Sequence, residues 1–351
     1  MHCDAAENCH RPNGLNPMLD PSDWNTPDAD IDQPLLLVVV DTEEEFDWGR
    51  PVSRDQTSTA AISSQYRAHR IFEKYGIRPT YVVDYPVASQ ESGYAPLKEL
   101  YDDGLCQIGT HLHPWVSPPF DEQVSNLNSY PGNLPRDLEK AKLERLTEEI
   151  AKRFGDRPEI YKAGRYGVGP NTADILSELG YRIDASVVPR TDFRDDEGPD
   201  FRHCDAAPYW FGKDRILEIP LSAGFTGMFA NLGWAGWNRI SSPLGRALKL
   251  TGISSRLRLL DRIVLTPEGI THTEHQRLTR TMLAAGRRVF SFTYHSPSLE
   301  PGCTPYVRND DDLAVFLDRF DRYFDYFINE VGGRPSTPHE VYTLLSEPPE
   351  A

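Results

Sequence analysis

Residues 35–41 read Leu-Leu-Leu-Val-Val-Val-Asp, six apolar side chains in a row closed by a carboxylate. A strand with one wet face alternates apolar and polar residues. A run without alternation marks a strand buried on both faces, as parallel sheets require. Working outward, Pro79-Thr-Tyr-Val-Val, Cys106 to His111, Glu159 to Ala163, Tyr181 to Ser186 and Arg288 to Thr293 read as further strands. Between them lie helical stretches over Thr57–Tyr75, Pro96–Asp103, Leu138–Phe154, Asn171–Leu179 and His275–Ala285, with a long one near Asp310–Asn329. Strands alternating with helices specify an α/β fold on a parallel sheet, open or closed.

The 351 residues carry 37 Lys and Arg against 53 Asp and Glu, a net charge of −16. That balance speaks against nucleic acid as a partner, since phosphate contacts need a surplus of cations. No stretch reaches the ~18 apolar residues of a membrane span. Five Cys without CxxC spacing (Cys3, Cys9, Cys106, Cys204, Cys303) suggest reduced thiols. With an N-terminus lacking a basic start and an apolar run, they lead to a cytoplasmic expectation. The pattern divides the chain into a polar N-terminal extension (1–33), a barrel over 34–347 and a tail (348–351).

Periodicity weakens between Leu221 and Gly269, so 222–269 is expected to be a helical insertion. From Arg239 to Arg262, six cations (Arg239, Arg246, Lys249, Arg256, Arg258, Arg262) face one acid, Asp261. A solvated helix face is the plain reading. A dock for phosphate-bearing ligands, or peripheral contact with a membrane surface, is the functional one.

Chemistry-bearing residues fall where strands end: Asp41 and Glu43, His111 and His113, Arg165, Asp184, and His295. Parallel barrels build their active sites at the carboxyl ends of their strands. In extended backbone, i and i+2 face the same way, so Asp41 pairs with Glu43 and His111 with His113. A His-x-His alone is as easily a capped turn. Beside an acidic strand end, two imidazoles and a carboxylate make a set for a divalent metal, Zn²⁺ foremost. Such a metal's water needs a base, and a departing amine needs an acid, which His295 can supply. Asp184 is expected to hold and polarise that His, and Arg165 to orient the base; a buried Arg165–Asp184 ion pair is the bland alternative. His272, Glu274 and His275 form a competing cluster at a helix start, and Trp48 and Trp115 flank the expected mouth.

These residues together resemble the polysaccharide deacetylases of the NodB-homology group, carbohydrate esterase family four. The resemblance runs from about Leu35 to Leu345. It is carried by Val-Val-Asp41-Thr-Glu43, Gly109-Thr-His111-Leu-His113-Pro-Trp115, Gly164-Arg165-Tyr166-Gly167, Asp184-Ala-Ser186 and Tyr294-His295-Ser296, in that order. It implies a distorted (β/α)7 barrel and metal-dependent removal of N-acetyl groups from amino sugars. It implies Asp41 as base, Glu43 as metal carboxylate, His111 as first histidine ligand, Tyr166 as oxyanion donor through its backbone N–H, and His295 as acid. The family's spacing puts its second histidine at Trp115, so His113 must substitute or the site has one histidine.

The expected substrate is an acetylated amino-sugar glycan or its lipid-linked or nucleotide-linked precursor. A hydrolase of small amides or cyclic imides on the same fold, and a catalytically silent glycan-binding barrel, stand as alternatives. The oligomeric state is left open.

Overall fold

The computed structural model describes residues 16–27 and 31–346. The tail and residues 1–15 and 28–30 lie outside the described residues, as do Cys3 and Cys9. Eleven strands occur among the described residues: β1 (Leu35–Thr42), β2 (Thr80–Val83), β3 (Gln107–Leu112), β4 (Ile160–Ala163), β5 (Ile183–Asp184), β6 (Tyr209–Phe211), β7 (Ile216–Glu218), β8 (Ala223–Thr226), β9 (Asp261–Val264), β10 (Val289–His295) and β11 (Arg334–Pro335). The main sheet runs β10-β1-β2-β3-β4-β5-β7-β6, with β11 also on β1. Its strands from β10 to β7 are parallel, and β6 closes the edge antiparallel to β7.

β1 lies inside that sheet, and all eight of its residues are buried. This is why its sequence does not alternate. Leu36, Val38 and Val40 face one core with Phe290, Phe292 and Tyr294, while Leu35, Leu37 and Val39 join the opposite core with Ile160 and Leu217. Each such side chain contributes about 1.5–3 kcal/mol on burial. The helices packed around the sheet are α1 (Tyr66–Lys74), α2 (Tyr85–Ser89), α3 (Glu91–Asp102), α4 (Arg136–Phe154) and α5 (Thr172–Leu179) in the first half. The second half adds α9 (His272–Ala284), α10 (Asp310–Asp325) and α11 (Pro338–Ser346), while α6 (Gly233–Ile240), α7 (Pro243–Ala247) and α8 (Leu250–Arg256) pack on one another and on β9.

The parallel sheet curls into a half-barrel, the distorted (β/α) barrel expected from the sequence, and among the described residues no strand pairing closes it between β7 and β10. The seam between β7 and β10 is bridged by Ser222, whose Oγ accepts from Ser291 N at 2.9 Å, and by Leu265, whose carbonyl accepts from Thr293 N at 3.2 Å. The expected insertion is a two-stranded antiparallel sheet, β8 with β9, whose connection forms α6, α7 and α8. Part of the polar N-terminal stretch packs on the barrel instead of extending from it. Met18 is fully buried, Asn25 bridges to Trp210, and Trp24 stacks on Tyr209 at 4.2 Å.

Candidate active site

The parallel register places Asp41 beside His295 on adjacent strands and His111 beside Lys162. All four therefore sit at one end of the sheet. They line or underlie a cavity of about 610 Å³ whose wall includes Asp41, Glu43, His111, His113, Tyr166 and His295.

Glu43, His111 and His113 converge there, all buried. Glu43 Oε2 lies 3.6 Å from His111 Nε2 and 3.5 Å from His113 Nε2. Each histidine's other nitrogen is committed: His111 Nδ1–H donates to the Lys162 carbonyl at 2.9 Å, and His113 Nδ1–H donates to Glu44 Oε2 at 2.8 Å. The tautomers so fixed leave both Nε2 lone pairs facing the carboxylate. Burial drives the His113 imidazole down to about 4 and also lowers His111, so both are neutral donors at pH 7. Burial lifts the Glu43 carboxyl to about 7, and its Oε1 is buried with no hydrogen-bond partner. Three lone-pair donors with only each other to meet fit a divalent cation.

A second group of donors, Glu44, Asp84 and His113, is already spent on hydrogen bonds. Glu44 accepts from His113 and, through Oε1 at 2.8 Å, from the indole N–H of Trp115; its backbone N–H donates to Asp84 Oδ2 at 2.8 Å. Burial and the neighbouring Glu44 push the Asp84 carboxyl well above its ordinary range. This cluster orients His113 instead of forming a second centre. Gly164 makes room for it, because a Cβ there would sit 2.5 Å from His113 Cδ2 and 2.3 Å from the Leu112 carbonyl oxygen.

Beside the donors stands a second pair of titratable side chains. Asp41 Oδ2 is 3.7 Å from His295 Nε2. The fully buried Lys162 reaches Asp41 Oδ1 at 2.5 Å and donates to Thr293 Oγ1 at 3.0 Å. Burial pushes the Asp41 carboxyl up, but Lys162, His111 and His295 outweigh it and hold it below its ordinary value. His295 Nδ1–H donates to Glu268 Oε2 at 2.7 Å. Burial disfavours its imidazolium; Glu268, with Glu43 and Asp41, more than reverses this and lifts the group to about 10.

Two sequence expectations are corrected by these contacts. Asp184 does not hold His295: its carboxylate accepts from Ser186 Oγ at 2.7 Å, and Glu268 occupies His295 Nδ1. Ser186 Oγ in turn accepts from Ala163 N at 2.8 Å, so Asp184 fixes the end of β4. Arg165 does not reach Asp41 either. Its guanidinium pairs with Asp196, bonds Asn126 Oδ1 at 2.8 Å and lies over the Tyr130 ring, while Lys162 holds Asp41. The alternative Arg165–Asp184 pair is likewise absent among the described residues. Arg165 and Tyr166 are consecutive non-glycine residues at φ 52° and 59°. Each such conformation costs on the order of 1–3 kcal/mol and tends to collect at functional sites.

Lys162 and Glu268 are the residues that sequence reasoning missed. A lysine inside the apolar stretch Ile160-Tyr-Lys-Ala was the available signal, since a buried cation demands an anion. Glu268 stood in the stretch read as insertion. The competing His272–Glu274–His275 cluster is a helix start: Thr271 and Glu274 form a capping box, and His275 Nε2 faces the Thr266 carbonyl at 2.7 Å.

No family model matches the sequence, and no curated protein matches it. Solved structures do. A protein of Mycobacterium smegmatis assigned to the polysaccharide deacetylases aligns with 93% of this chain and 99% of its own, at 16% identity and a TM-score of 0.51. A protein of Pseudomonas aeruginosa PAO1 assigned to the same group covers 88% of this chain and 90% of its own, at 12% identity and a TM-score of 0.48. A peptidoglycan N-acetylglucosamine deacetylase covers 90% and 91%, at 9% identity and a TM-score of 0.45. The chain has the polysaccharide deacetylase fold.

Proposed function

We propose that this protein is a metal-dependent hydrolase that removes N-acetyl groups from an amino sugar of a polysaccharide or its precursor. The observation that carries the reading is the convergence of Glu43, His111 and His113 next to the Asp41–His295 pair in one cavity. Glu43, His111 and His113 would hold the metal, with Zn²⁺ the first candidate; when bound, it acidifies water and polarises an amide carbonyl.

The chain's own groups supply the rest. Asp41, kept ionised by Lys162, takes the proton of the attacking water at its Oδ2. His295, kept protonated by Glu268, faces the cavity through Nε2 and gives its proton to the departing sugar amine. Tyr166 lines the cavity, and its backbone N–H is assigned to the developing oxyanion. Phe46, Trp48 and Tyr306 form an aromatic wall, with Trp48 and Tyr306 edge to face at 5.7 Å. Such rings offer apolar faces to a pyranose, and the buried Trp48 Nε1, without a partner, offers it a donor. A cytoplasmic setting is consistent with the free thiols of Cys106, Cys204 and Cys303, and there a lipid-linked or nucleotide-linked sugar is the proposed form of substrate.

Metal-reconstituted protein should release acetate from one or more of a panel of N-acetylated amino sugars, and Asp41→Asn should slow this by about 10²–10⁴-fold with metal still bound. Ring opening of a cyclic imide without acetate would replace this reading with the small-amide one. Tight glycan binding by metal-free protein, without turnover, would replace it with a silent binding barrel.

A further inference from the structure

The connection from β8 to β9, residues 228–260, carries five cations (Arg239, Arg246, Lys249, Arg256, Arg258) and no acid, in a chain of net charge −16. All five are exposed, and among the described residues none enters an ion pair. The same short segment exposes Met228 at 74%, Leu244 at 70% and Leu257 at 61%, together with Phe229, Leu232, Leu248 and Ile253. Leu244 and Leu248, and Ile253 and Leu257, are each one helical turn apart, so each pair projects from one side of its helix. Seven large exposed apolar side chains are costly to leave in water unless something covers them.

We propose that this segment docks the protein on an anionic lipid bilayer, its arginines and lysine among the headgroups and its Leu, Ile and Met side chains at the acyl boundary. Charge complementarity chooses the occupant. A second copy presenting the same patch would set five cations against five. Nucleic acid would match the charge but leave the aliphatic side chains without a partner, since they cannot stack on bases. A surface that is both anionic and apolar just beneath meets both features. Contact is peripheral, because no helix among the described residues is long and apolar enough to cross a membrane. The proposal is independent of the deacetylase reading, for it rests on no residue of the cavity.

The test is co-sedimentation of the full chain with phosphatidylcholine vesicles, with and without phosphatidylglycerol, at low and high salt. Binding is expected only with phosphatidylglycerol and is weakened by salt. Arg256→Glu with Arg258→Glu should reduce vesicle affinity about tenfold or more. Leu244→Ser with Leu257→Ser, which leaves the charge unchanged, should also weaken it. All four residues are exposed, so each variant should keep the wild-type thermal transition. No binding to anionic vesicles at low salt overturns the proposal, as does binding that neither pair of substitutions weakens. A concentration-dependent dimer lost in the Leu244→Ser, Leu257→Ser variant, without vesicle binding, overturns it in favour of a second copy.

Discussion

The indole N–H of Trp115 donates to Glu44 at 2.8 Å, and Glu44 accepts the Nδ1 proton of His113 at 2.8 Å. Trp115 also stacks on the His113 ring at 4.2 Å. The residue at the position where the family's spacing puts a histidine thus acts one step back, by orienting His113. Partners of this kind typically change metal affinity 10–100-fold when removed.

Glu44→Gln should therefore weaken Zn²⁺ binding by about 10–100-fold, while Trp115→Phe, which keeps the stack and loses one hydrogen bond, should cost less. Competition with a chromophoric chelator measures both. Wild-type affinity in Glu44→Gln would mean that His113 needs no partner to be a ligand.

Gly164→Ala tests the same donor from the backbone side. A methyl group 2.5 Å from His113 Cδ2 must displace the ring or β4. Metal affinity should fall although no ligand is changed, and the same titration reads it against Gly252→Ala, in the helical backbone of α8, where a Cβ would meet nothing within 4 Å.

Lys162→Met should lower kcat/KM and shift the acid limb of its pH profile upward. The sign follows from the charges: Lys162 holds the Asp41 carboxyl below its ordinary value, so removing the cation lets burial raise it. The base is then protonated at a pH where the wild type is ionised. Asp41→Asn, which removes proton transfer itself, should cost about 10²–10⁴ in kcat. An unmoved acid limb in Lys162→Met would detach Lys162 from the base.

Most of this architecture was legible in the sequence because buried parallel strands must be apolar throughout and their ends carry the polar residues. The run from Leu35 to Val40 marks its strand unaided, and Asp41, Glu43, His111, His113 and His295 do line one cavity. What the sequence concealed were partners. Strand-end position does not say which neighbour a side chain meets, so Asp184 was matched to His295, while its hydrogen bond to Ser186 was settled by local backbone geometry. Glu268 follows β9, in a stretch where periodicity gave no frame, and only the seam beside β10 brings it to His295.

Glu268→Gln should move the alkaline limb of kcat/KM to lower pH. With Glu268 present, His295 is raised to about 10 and carries its proton below that value. Neutralising the carboxylate takes away the largest influence favouring the imidazolium, so the acid is lost sooner as pH rises. A profile identical to wild type would remove Glu268 from that role.

Glu139 offers a stability test away from the chemistry. It is almost wholly buried near the start of α4, where Thr172 Oγ donates to its Oε1 at 2.6 Å and its Oε2 has no partner. Burial, only partly offset by Thr172 and Arg136, raises its carboxyl from 4.5 to about 8. The folded state therefore binds a proton that the unfolded chain releases near its ordinary value. That contribution is complete at pH below about 4.5, shrinks as pH climbs, and is gone once pH passes about 8. Glu139→Gln keeps a neutral side chain of the same shape at every pH. Its Tm should thus fall less than that of the wild type between neutral and mildly alkaline pH, with the gap widening in its favour as pH rises. Parallel Tm curves for the two proteins, measured by thermal unfolding across that range, would show that Glu139 is already ionised in the folded state.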